Sequence, residues 1–290
     1  MKIIRTLIGE FSEEEVDFLK QFGIKVKANT LERFYIDEGD DYYRIYDHLS
    51  ETLRKSRSYG YELARLNRNR IYKYTKKDVE DSKFCKLRVV LGGGYPQPEH
   101  NFEYCQITYD GSSICPKCSL PMNQINNFRV KKISNRPIWG FTSWVYDVIF
   151  AHEEFYKQVF EPLGIKCRPI EKTSGSIWEG VVQLIIPTTG ESIKLPYHDV
   201  IVCPQCGSLR YRPWGTLPFF PEYKYFQSPI FLTKEYFGGG LDSSHYIIIS
   251  SKLAIQLLEL KAIKLEDLTP CRKDFEENLK NNPDLIPYRR

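Results

Sequence analysis

No stretch of this 290-residue chain approaches about 18 uninterrupted apolar residues, so no membrane-spanning helix is expected. The first residues, MKIIRTLIGEFSEEE, turn acidic after nine positions. They lack the long apolar run and small-residue cleavage site of a signal peptide, which makes the cytoplasm the expected compartment. Charge of one sign is also missing: 41 Lys and Arg stand against 37 Asp and Glu. There is no Gly-x-Ser-x-Gly, His-Glu-x-x-His, Walker or dinucleotide-binding pattern. The glycine triplets Gly92–Gly94 and Gly238–Gly240 lack a following Gly-Lys-Ser/Thr and read as turns. Histidine is scarce and scattered, at positions 48, 100, 152, 198 and 245, with no pair at helical i,i+4 spacing. These gaps point away from an enzyme. Eight cysteines are too few for a disulfide scaffold, so free thiols or metal ligands are the better reading.

What is present suits a sizeable core. Apolar residues make up 42%, with 20 Tyr and 17 Phe. The expected fold class is α+β, with mixed sheets. Three segments are expected: 1–80, an N-terminal α/β segment; 81–214, carrying the metal-ligand motifs; and 215–290, a strand–helix unit packed on the core. Residues 1–38 read as strand, helix, strand. Ser12 is the expected N-cap with Glu15 in the capping-box position, Gly23 the stop, and Ile24–Lys27 the second strand. Lys86–Leu91 and Phe102–Tyr109 read as strands, and the tail from Asp274 as a docked helix that frays.

Residues 42–77 hold ten Lys/Arg against three Asp/Glu, with seven interleaved tyrosines. Ile45, Leu49 and Leu53 fit one helical face. Arg54, Lys55, Arg57, Arg65, Arg68 and Arg70 are candidate phosphate contacts, with the tyrosines as stacking partners. A solvated helix whose tyrosines pack on the core is the plainer reading.

Two stretches share an order of elements. Trp144–Phe150 is strand-like, Glu153–Glu161 helical, and Ile165–Ile170 and Val181–Ile186 extended. Later, Tyr246–Ile249 is a strand, Ser250 or Ser251 caps a leucine-rich helix, and an extended piece reaches Cys271. We read these as a degenerate repeat in which Cys167 and Cys271 are equivalent buried residues.

Cys115-Pro116-Lys117-Cys118 and Cys203-Pro204-Gln205-Cys206-Gly207 carry the chemistry. Two thiolates on a tight turn make half of a tetrahedral zinc site, and two such knuckles fill it. The pairs lie 84 residues apart, against about 15–20 in most ribbons. Loop-closure entropy grows only logarithmically with length, so an inserted strand–helix–strand unit is tolerable. Each pair is expected on a hairpin, giving a zinc-ribbon-like core that brackets the insertion. A redox role would need a pair at a helix N-terminus, and neither pair leads into a convincing helix. Cys85, His100 and Cys105 are a weaker candidate second site. His198-Asp199 is placed to orient a bond near the first.

The two Cys-x-x-Cys pairs, together with Tyr246–Ser250 and the helix after it, resemble the bacterial double-CXXCG motif proteins. The likeness spans about residues 100–272 and departs at Ser119, where the pattern has glycine. That family is similar to immunity proteins encoded beside polymorphic toxins. The resemblance implies one structural Zn²⁺ and a non-catalytic protein that binds a partner protein. The alternative is a nucleic-acid-binding zinc ribbon using residues 42–77.

Overall fold

The computed structural model describes residues 1–55, 70–193, 195, 200–211, 217–224, 228–239 and 243–281. The chain divides into two compact units, 1–75 and 76–290.

In the first unit, β1 (Lys2–Glu10) is the middle of an antiparallel sheet, flanked by β2 (Leu31–Asp37) and β3 (Arg70–Lys73). Helix α1 (Glu13–Lys20) starts as its sequence dictates. The Ser12 hydroxyl accepts from the Glu15 N–H, and the Glu15 carboxylate accepts from the Ser12 N–H. Helix α2 (Asp40–Lys55) buries Ile45 and Leu49 in a core with Leu7, Leu19 and Phe34. Residues 24–27 do not form the expected strand; sheet pairing begins at Leu31.

The second unit contains α3 (Lys76–Glu80), β4 (Phe84–Leu87), α4 (Tyr104–Thr108), β5 (Arg129–Val130) and β6 (Ile138–Trp139). Next come β7 (Phe150–His152), α5 (Glu153–Phe155), β8 (Lys166–Lys172) and β9 (Ile177–Ile185). They are followed by β10 (Val200–Val202), β11 (Leu209–Tyr211), β12 (Phe220–Pro221), β13 (Ile230–Leu232) and β14 (Tyr236–Phe237). The last elements are β15 (Ile247–Ser250), α6 (Ser251–Glu259), β16 (Leu268–Arg272) and α7 (Phe275–Asn281). The expected strand at 102–109 is instead a short helix, which turns Tyr104, Cys105 and Thr108 inward together. Of 144–150 only Phe150 is in a strand, and Trp144 itself takes a left-handed φ of 73° that extended pairing does not allow.

Two five-stranded sheets dominate, ordered β5-β8-β9-β7-β6 and β12-β16-β4-β15-β13. Both have one plan. The first pair in each order is parallel and the other three are antiparallel. The registers coincide: the row Ile138–Ala151–Val182–Pro169 matches Ile230–Ile249–Cys85–Pro270. The next row, Trp139–Phe150–Gln183–Arg168, matches Phe231–Ile248–Lys86–Thr269.

The connecting helices match too. α5 begins after N-cap His152 and continues through a π turn (Tyr156–Phe160) and a 3-10 turn (Glu161–Leu163). It closes with Gly164 N–H to Glu161 O and Ile165 N–H to Phe160 O. α6 begins after N-cap Ser250 and closes with Lys261 N–H to Leu258 O and Ala262 N–H to Leu257 O. Gly164 and Lys261 both have left-handed φ, 74° and 54°. The π turn absorbs the one residue by which the first helical segment is longer.

The repeat is therefore real in the fold, but its residue matching differs from the sequence expectation. Cys167 pairs across from Leu184 as Leu268 does from Leu87, so Cys167 matches Leu268. The 3-10 turn Leu265–Asp267, between α6 and β16, moves the second cysteine out of step. The middle strands are also exchanged. In chain order each copy is middle strand, Cys-x-x-Cys, two edge strands, strand, helix, strand. Yet β4, which opens the first copy, lies in the second sheet, and β9, which opens the second copy, lies in the first. Residues from 81–214 and 215–290 therefore share one sheet. The helix-facing sides of both sheets join in one core with Val159, Phe160, Leu253 and Leu257.

Candidate metal centre

The backbone makes the same knuckle twice. Cys115 N–H donates to Leu120 O and Cys203 N–H to Ser208 O, each at 3.0 Å. Ser119 N–H returns to Cys115 O at 2.8 Å, and Gly207 N–H to Cys203 O at 2.9 Å. Both closing residues are left-handed, with φ of 62° at Ser119 and 72° at Gly207. The turn thus imposes a conformation natural to glycine, and Ser119 adopts it at a steric cost. Cys203 follows β10 and precedes β11, on an antiparallel hairpin. The expected hairpin under the first knuckle is reduced to a Tyr109–Gln124 bridge, because α4 occupies the residues leading into it.

The knuckles meet sulfur to sulfur in equivalent pairs. Cys115 Sγ lies 3.8 Å from Cys203 Sγ, and Cys118 Sγ lies 3.5 Å from Cys206 Sγ. All four sulfurs lie within 4.8 Å of one another, so the group can hold a metal ion. A tetrahedron with Zn–S bonds of about 2.3 Å has edges near 3.8 Å, so the spacing fits that ion. Cys115, Cys118 and Cys203 are buried and Cys206 is exposed.

The environment is uneven. The Ser208 hydroxyl, 3.1 Å from Cys206 Sγ, and the Ser208 N–H pull that thiol down to about 6. The N–H groups of Cys206 and Gln205 lower Cys203. Burial pushes Cys118 up to about 12. A bound ion would supply the charge that stabilises thiolates on both knuckles.

Residues that sequence reading passed over surround the centre. Met122 and Tyr236 pack against the cysteines. The Tyr236 ring lies 4.0 Å from the His245 ring, and the backbone N–H of His245 donates to Asp147 Oδ2 at 3.0 Å. Tyr146 N–H donates to Ser244 Oγ at 3.1 Å. The segments leading into β7 and β15 thus bind each other beside the sulfurs. Their Asp and His, 98 positions apart, carried no local signal.

The weaker candidates separate. Cys85 is buried in the shared core, where burial pushes its thiol up to about 12. Cys105 is buried in a different, aromatic core, and His100 is exposed beside Asn101. Among the described residues these three form no ligand group. His198 and Asp199 lie outside the described residues. So do Arg57, Arg65 and Arg68, and the side chains of Leu53, Arg54, Lys55 and Arg70. Of the described tyrosines in 42–77, Tyr42, Tyr72 and Tyr74 are buried and Tyr46 is half-buried. Tyr43 is exposed, and its hydroxyl donates to Glu38. No described helix is long and apolar enough to cross a membrane. Compared with known proteins, the chain matches no family model, no curated protein and no solved structure.

Proposed function

We propose that Cys115, Cys118, Cys203 and Cys206 hold one structural Zn²⁺ and that the protein is a non-catalytic binding protein for a partner protein. The observation that carries the metal reading is the convergence of two identically bonded knuckles on one set of four sulfurs. Four thiolates fill a tetrahedral shell and leave no position for substrate, so the ion's work is structural. The partner reading follows the resemblance to the double-CXXCG proteins and their immunity-type relatives. Of the described tyrosines in 42–77, Tyr42, Tyr72 and Tyr74 are buried and so offer the nucleic-acid alternative no ring to stack on, while Tyr43 is exposed.

The test of the binding role is co-expression with the product of the neighbouring gene. A stoichiometric complex that suppresses that product's toxicity is the expected result. No complex, with toxicity unchanged, contradicts the reading.

A further inference from the structure

Charge is unevenly spread along the second unit. Residues 111–146 hold five Lys/Arg and no Asp or Glu. Lys117 lies in the first knuckle, and Arg129 on β5 is taken by Glu171 at 3.0 Å. The other three, Lys131, Lys132 and Arg136, are exposed on the loop between β5 and β6. None of the three has an ion-pair partner among the described residues.

The first glycine triplet brings an aromatic surface to this loop. The Gly92 and Gly93 N–H groups both donate to Gly140 O, at 3.1 Å and 2.9 Å, and Gly94 O accepts from the Thr142 N–H at 2.7 Å. A Cβ at Gly92 would stand 2.9 Å from Ser134 Oγ of the basic loop, so glycine is what lets the two segments approach. A Cβ at Gly94 would stand 3.9 Å from Lys132 Cε, which places that lysine beside the turn. The next residue, Tyr95, is 40% exposed. Its ring rests on Trp144, with centroids 4.7 Å apart and planes tilted by 46°. Phe102 and Tyr104 also pack on Trp144, at 4.7 Å and 6.0 Å. Trp144 and Phe102 both have left-handed φ, 73° and 58°, which bulky side chains rarely adopt. Such strain persists only where the surroundings hold it, and here it fixes the rings that back Tyr95. The Glu99 carboxylate accepts from the Gln97 amide at 3.1 Å and bounds the basic surface at that end.

We propose that this surface binds single-stranded nucleic acid, with Lys131, Lys132 and Arg136 on phosphates and a base on the Tyr95 ring. The combination selects the ligand. Unpaired cations alone suit any polyanion, but an acidic peptide has no flat group to lay on an exposed ring. In a duplex the base faces are closed by their neighbours, whereas a single strand offers phosphates and open base faces together. The surface uses none of residues 42–77, and its ligand is additional to the protein partner proposed above.

The test is fluorescence anisotropy of the full chain with a fluorescein-labelled oligothymidylate of about twelve nucleotides, within the usual span of such surfaces. Three phosphate contacts predict that log K falls with log salt concentration at a slope of about −2. Lys132→Ala and Arg136→Ala should each make the slope shallower by about 0.7. Tyr95→Ala should weaken binding about tenfold and leave the slope unchanged, and Tyr95→Phe should bind like wild type. All these positions are exposed, so the fold should be kept, which circular dichroism checks. No binding by the wild-type protein overturns the proposal. So does binding that Tyr95→Ala and the loop variants leave unchanged, which places it elsewhere on the chain. A labelled polyglutamate bound as tightly as the oligonucleotide also overturns it and makes the surface one for acidic peptides.

Discussion

In the first sheet the centre of the aromatic face is closed by two amides, Gln124 and Gln183; in the second the same place holds Lys86, whose amine lies over the Tyr246 ring and has no ion-pair partner among the described residues. Ala151 in one row stands where Ile249 stands in the other. Ser119 closes one knuckle and Gly207 the other, at nearly the same φ. The plan of strands, helix caps and knuckles is thus common to both copies, while the side chains filling it differ. The comparison teaches that the backbone plan tolerates different fillings, and that the four cysteines are where the two copies do agree, as they must if each supplies half of one coordination shell.

The exchanged middle strands change what a metal bound at the four cysteines would have to do. β4 and β9 already tie each copy into the other's sheet, so an ion on the knuckles would not be the only clamp between them. Loss of metal should open the knuckles locally and leave both sheets paired.

The comparison can be broken at three places, with falling effect. Ile249→Ala gives the second sheet the residue of the first. It should cost about 2–5 kcal/mol in denaturant unfolding, because Ile249 is fully buried in the shared core and its truncation leaves a void there. A cost under about 1 kcal/mol would mean that the two helix-facing sides are interchangeable.

Lys86 gives the next effect, and its sign follows from burial, which lowers the amine to about 8. The folded state prefers the neutral form, so it carries a penalty at pH values below about 8. Between about 8 and the ordinary lysine value the unfolded chain binds more protons, and stability rises with pH. Wild type minus Lys86→Gln should therefore show a stability difference that shrinks across that window. A flat difference would remove the claim of an uncompensated charge.

The smallest effect is at the knuckle turns. Ser119→Gly should stabilise by about 1 kcal/mol, and Gly207→Ala should destabilise by a similar amount, because both positions are left-handed. Opposite signs in thermal unfolding would sharpen the equivalence of the two turns.

The parts legible in the sequence were those set by neighbours in the chain. The Ser12–Glu15 capping box, the Ser250 cap, the strand Ile247–Ser250 and both Cys-x-x-Cys turns depend on residues within one turn of each other. The parts that were not legible depend on distant pairing. Phe84–Leu87 is a short, mostly apolar strand, and nothing local says that it lies between β15 and β16. Phe102–Tyr109 has strand-like composition, yet a helix there buries Tyr104 and Cys105 in the aromatic core. The Cys167–Cys271 match failed because a 3-10 turn shifted one copy of an otherwise shared pattern.

The most direct test of the central claim, one ion shared by two knuckles, is elemental analysis of native protein beside Cys115→Ser and Cys203→Ser. The expected result is about one zinc per chain in the native protein and loss of metal in both variants, since each removes a ligand from the same shell. Two ions per chain, or metal retained at full stoichiometry in either variant, would contradict a shared site.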